Sequence, residues 1–127
     1  MPLLRLHTNY EISEDRKPKL LRLLSKIVQT EAAKPESTVM IAIHSSSAMF
    51  FAGDEKPAAF VEFKAIGIDA SQTTKLSGAI CAALEQDIGI PSKRIYIHFE
   101  NVEGGMWGWD KQTFQTLKKG LSGNRSS

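Results

Sequence analysis

A single cysteine, Cys81, occurs among the 127 residues. One cysteine excludes an internal disulfide and predicts a reducing compartment. Net charge is equally scarce: the formal value is +2, too small to argue for nucleic acid or an anionic membrane as partner. No apolar run approaches the roughly 20 residues of a membrane span. No charged-then-apolar leader precedes the first predicted strand, so a cytosolic protein is expected. A phosphate-binding loop is also missing, because Gly104-Gly105 open an aromatic segment and not a helix beginning with Lys-Ser or Lys-Thr. His7, His44 and His98 fall on three different predicted strands with no ligand spacing, so no metal is expected. No cofactor is expected either.

What is present is an ordinary globular composition, 42% hydrophobic and 24% charged, at a length that builds one core and gains from oligomerisation. The chain is organised around its start, Met1-Pro2-Leu3-Leu4-Arg5-Leu6-His7-Thr8-Asn9. Methionine before a small residue is normally trimmed, which would leave Pro2 as a terminal secondary amine. An ordinary α-amino group titrates at about 7.7–8.0. Burial or a neighbouring ammonium lowers that value and makes a general base near neutral pH. Proline is also a common second residue, and chain ends mostly fray. The period-2 pattern that sets Pro2, Leu4 and Leu6 against Leu3, Arg5 and His7 argues for a strand that holds the amine still.

The remaining elements are expected in a repeated order. Ser13 is a candidate helix cap, although Pro18 moves the expected start towards Arg16. Leu20, Leu23, Leu24, Ile27 and Val28 form the apolar stripe of that helix, which should stop before Lys34-Pro35. Val39–His44 reads as a continuously apolar, buried strand. The plan then recurs: a strand over 58–66, a helix capped by Asp69 or Ser71 and stopped at Gly89, and a strand from Arg94 to Phe99. Pro35 and Pro91 hold equivalent places, and a Gly-rich hairpin-like segment follows. The predicted fold is α+β, a tandem βαβ repeat with a four-stranded sheet and two helices on one face. The other face is expected to carry apolar residues that need cover, from self-association or from the C-terminal residues. Cys81 reads as a small buried hydrophobe in the second helix. A single domain over 1–115 is expected, with a flexible polar tail over 116–127.

Taken together, Met1-Pro2-Leu3, Thr8-Asn9, Lys34-Pro35, Phe63-Lys64-Ala65-Ile66-Gly67, the run from Ile90 to Ile97, and Trp107-Gly108-Trp109 with Thr113-Phe114 carry a resemblance. In that order and spacing they resemble the macrophage migration inhibitory factor family of the tautomerase superfamily. The resemblance implies a symmetric homotrimer with pockets at subunit boundaries. It also implies keto–enol tautomerisation of aromatic α-keto acids such as phenylpyruvate. Pro2 would be the base and Lys34 would bind substrate oxygens. The backbone N–H of Ile66 would take the carboxylate, and Tyr96 would come from a neighbouring subunit. Trp109 and Phe114, with Met106 and Trp107, would form the apolar wall.

Three departures bear on function. His98 stands where familiar animal members have an asparagine that touches substrate or orients the pocket, and it adds a titration near neutral pH. Ala58-Ala59-Phe60-Val61 replaces the Cys-x-x-Cys of some relatives, so thiol oxidoreduction is not expected. Trp109-Asp110-Lys111-Gln112-Thr113-Phe114 differs from the common ending, in which Asn follows the Trp. A cytokine-like ligand of a protein receptor, released without a signal peptide, is the alternative function. Ile12 stands near the place of an arginine credited with receptor contact, which weakens that alternative. An RNA-binding domain on the same plan would need exposed aromatics with basic neighbours on its central strands, where Val39–Ile43 offers aliphatics.

Overall fold

In the computed structural model, which describes residues 1–117, the repeat is laid out twice around one core. The first unit runs β1 (Leu3–Thr8), α1 (Arg16–Glu31), β2 (Met40–His44). The second runs β3 (Ala59–Ala65), α2 (Ala70–Ile88), β4 (Ile95–Asn101). Within each unit the strands are parallel, and β1 joins β3 antiparallel, giving the mixed order β2-β1-β3-β4. Both prolines have the same job: Pro35 and Pro91, extended at φ −62° and −60°, each lead through a short 3₁₀ turn into the unit's second strand. The expected α+β architecture is therefore the observed one. The expected tail over 116–127 lies, from residue 118 on, outside the described residues.

Helix α1 begins at Arg16, and Ser13 serves it only through its carbonyl, which accepts from Arg16 N–H at 3.0 Å. Pro18 sits in the first turn, where a missing N–H removes no intrahelical bond. Leu20, Leu24 and Val28 are fully buried, while Leu23 lies at the edge of the stripe and is 38% exposed. Helix α2 starts at a full capping box, in which Asp69 accepts from Gln72 N–H at 3.0 Å and the Gln72 side chain accepts from Asp69 N–H. It stops at Gly89, whose φ of +72° suits a residue without Cβ. Cys81 is half-buried against the core, and burial pushes its thiol pKa up.

Leu4 and Leu6 on β1 and Val61, Phe63 and Ala65 on β3 are fully buried and pack with residues of the helices in one cluster, and Thr8 is buried beside them at the end of β1. The opposite face departs from expectation. By register it carries three rows across the sheet: Met40, Leu3, Lys64, Glu100; then Ala42, Arg5, Glu62, His98; then His44, His7, Phe60, Tyr96. This is a charged and aromatic face, not an apolar one. Its centre is a hydrogen bond of 2.7 Å between His7 Nε2 and Glu62 Oε1, with His44 stacked on His7 at 4.9 Å. β2 is likewise not buried: it is an edge strand, half-exposed along its length. Its apolar run registers a strand with both sides coverable, and one side is open in the single chain.

The connection between β2 and β3 is clamped at its β3 end. Asn9 Oδ1 accepts from Ala58 N–H at 2.9 Å, its amide donates to the Glu55 and Lys56 carbonyls, and the Thr8 hydroxyl donates to Ala58 O at 2.7 Å. The Gly-rich segment is a 3₁₀ turn (Gly104–Met106), and the hairpin itself follows as β5 (Gly108–Trp109) and β6 (Gln112–Thr113). Its two-residue turn, Asp110-Lys111, has φ of +51° and +67°. Both central residues with positive φ is the pattern of the tight hairpin turn. Gly104 sits close to the chain that follows, and a Cβ there would lie 3.1 Å from Gln115 N, tighter than an ordinary contact.

Candidate active site

The buried side of β1 continues backward to Pro2, which is itself buried and whose carbonyl accepts from Met40 N–H at 3.0 Å. Two cavities open on either side of the chain start. One, of about 640 Å³, is lined by Pro2, Leu3, Met40, Lys64, Trp107 and Trp109, among others. The second, of about 440 Å³, is lined by Lys34, Ile66, Gly104, Gly105 and Phe114. Met1 lines both, so it stands as the partition between them. Its α-amine is held below the ordinary value, chiefly by burial and then by the charge of Lys34.

Lys34 reaches this place because the chain leaves α1 sharply, through Ala33 at φ +53°. Its ammonium donates to Ile66 O at 2.8 Å. Gly67, at φ +76°, follows Ile66, and a Cβ on it would lie 3.8 Å from Lys34 Nζ. The turn is fixed from β4 by Asn101, whose Oδ1 accepts from both Gly67 N–H (2.9 Å) and Ile68 N–H (3.2 Å). Among the described residues no hydrogen bond takes the N–H of Ile66. A cation and a free backbone donor thus stand together, a pair suited to holding anionic oxygen. Trp109 and Phe114, brought together by the hairpin, stack at 6.2 Å with planes 15° apart, and the Phe114 N–H donates to Trp107 O at 3.1 Å.

Pro2, Lys34, Ile66, Trp109 and Phe114 therefore converge on the chain start. Tyr96 and His98 do not. They lie on the open sheet face, exposed, and line neither cavity within this chain. Lys64 and Glu100 do line the larger cavity and were not expected there. Alternation along β3 and β4 places them on that face, but only the pairing Lys64–Glu100 beside Leu3 and Met40 shows that the row borders Pro2.

The model of the macrophage migration inhibitory factor family matches residues 1–115. The chain belongs to that family. Its fold is that of the tautomerase superfamily. A migration inhibitory factor homolog of Trichinella spiralis is 36% identical over 115 residues, spanning 90% of this chain and all of the relative. A homologue structure from Prochlorococcus marinus superposes with a TM-score of 0.84 at 37% identity, covering 88% of this chain and 98% of that one. The Leishmania major MIF2 structure does so at 0.81 and 29%, covering 90% and 97%.

Proposed function

We propose that this family member is a keto–enol tautomerase of aromatic α-keto acids such as phenylpyruvate, with Pro2 as its base. The observation that carries the reading is the position of the terminal amine, at the meeting of two cavities and depressed by burial and by Lys34. Removal of Met1 moves that amine inward onto the buried Pro2 and takes away the partition. A neutral secondary amine there removes a proton from the carbon beside the ketone. The charge that develops on the ketone oxygen is met by the Lys34 ammonium, while the Ile66 N–H holds the carboxylate. That oxygen takes the proton back from the Pro2 ammonium, which gives the enol and restores the neutral base. Trp107, Trp109 and Phe114 exclude water and face the aryl group.

The family relation and the exposed edge of β2 support a homotrimer, in which Tyr96 and His98 of one copy complete the pocket of the next. The receptor-binding alternative draws support from the names of the relatives. Ile12 is 3% exposed, so that position offers a receptor nothing to touch. Mass spectrometry for loss of Met1, followed by phenylpyruvate tautomerisation with wild type and Pro2→Gly, tests the proposal. An active wild type and a largely inactive, still oligomeric variant are expected. A wild type that is inert with Pro2 free contradicts it.

A further inference from the structure

Tyr96 is 66% exposed, and an exposed ring on a strand is free to swing between rotamers. This one is held. Phe51 meets it at 5.0 Å between centroids with planes at 68°, the edge-to-face arrangement that aromatic pairs favour. Phe51 is in turn fixed by Arg94, whose guanidinium lies 5.1 Å from the centre of its ring. Arg94 donates to three carbonyls of the connection between β2 and β3: Pro57 (2.9 Å), Phe51 (3.1 Å) and Lys56 (2.9 Å). It also pairs with Asp54 at 2.8 Å, with only 13% of its side chain exposed. Reciprocal backbone bonds between Phe51 and Asp54, 3.0 and 3.2 Å, close the turn that carries the ring. Lysine cannot supply that planar fork.

We propose that Phe51, locked by Arg94, is the positioning residue for Tyr96, setting the angle at which its ring and hydroxyl meet the aromatic keto acid in a neighbouring copy's site. The inference rests on the reading of Tyr96 as a substrate-binding residue. Arg94 is two residues before Tyr96, so one side chain ties the loop and the start of β4 into one rigid piece. The cluster has no place in the chemistry itself. Its effect is to orient Tyr96 in advance, and a preset ring loses less entropy on binding.

The test uses Phe51→Leu and Arg94→Lys, alone and combined with Tyr96→Ala, in the mature protein. Only two tyrosines are present, so ¹³C-labelled tyrosine gives one ring signal for Tyr96 and one for Tyr10. The expected result is a shifted Tyr96 signal with Tyr10 unmoved in both variants. Phenylpyruvate kcat/KM should fall about three- to tenfold, mostly through KM. In the Tyr96→Ala background neither substitution should lower it further, the signature of coupled residues. An equal loss in both backgrounds, or a Tyr96 signal that stays in place, overturns the proposal. If the wild type is inert while the Tyr96 signal moves, the tautomerase reading fails and the placement of the ring stands. Should Phe51→Leu fail to fold, Arg94→Lys decides by the same criteria.

Discussion

The Lys34 ammonium and the Ile66 carbonyl oxygen, 2.8 Å apart, join the two halves of the repeat at the chain start. Lys34 follows the helix of the first unit and Ile66 the first strand of the second. The bond therefore forms only when both units are docked, and it leaves two ammonium donors and the Ile66 N–H for a ligand. Lys34→Met should leave the fold intact, because this bond is half-exposed and contributes about 1 kcal/mol or less. The same change should lower kcat/KM for phenylpyruvate by about a hundredfold, the order expected for loss of a donor to a developing oxyanion. Steady-state kinetics beside a thermal melt check both halves of this expectation.

Asp69 stabilises the fold by capping α2 and lines neither cavity. Asp69→Ala removes one side of the capping box and should destabilise the protein by about 1 kcal/mol. That corresponds to a melting temperature lower by roughly 4 °C. Activity per folded molecule should not change, so a calorimetric scan and a kinetic assay on the same sample separate the two roles.

The His7–Glu62 bond predicts a pH dependence. The hydrogen bond from His7 is the main cause that holds the Glu62 carboxyl below its ordinary 4.5, with Arg5 and Lys64 adding positive charge. A depressed carboxylate stabilises the fold above its unfolded pKa, and that contribution disappears as pH falls through the folded value. Glu62→Gln should therefore lower the urea midpoint at pH 7, and the gap to wild type should narrow steadily as pH falls below 4.5. A variant whose destabilisation stays constant as pH falls would contradict the assignment.

Local chemistry made much of the fold legible. Asp69 as cap, Gly89 as stop, the matched Pro35 and Pro91 and the alternation of β1 each state their structure in a few neighbouring residues. What the sequence could not show depends on register. An apolar run such as Val39–Ile43 fits a central strand and an edge strand equally well. The order β2-β1-β3-β4, set by the crossings, decides between them. The same limit hid the polar character of the open face. Arg5, His7, Glu62, Lys64 and His98 are scattered through the chain and become neighbours only when four strands are paired. At the site, Pro2 was readable as chemistry, whereas Lys34, Trp109 and Phe114 were legible through their family positions, and Ile66 through its family position and Gly67. Met1 as a partition between two cavities has no sequence signal at all. Tyr96 and His98 stay apart from the other candidate residues because the sheet carries them to its open face, and it is the proposed trimer that would bring them in from a second copy.

The titration of the Pro2 nitrogen decides whether this amine is the base. Protein carrying ¹⁵N-proline and lacking Met1 gives one terminal secondary-amine signal, followed by NMR against pH in wild type and Lys34→Met. The account predicts a wild-type pKa below the ordinary α-amine range of about 7.7–8.0, a rise on loss of Lys34, and a pH–rate profile for kcat/KM that follows the same ionisation. A Pro2 nitrogen that titrates at or above that range and ignores Lys34 would contradict it, because the amine would then be protonated when the base is needed.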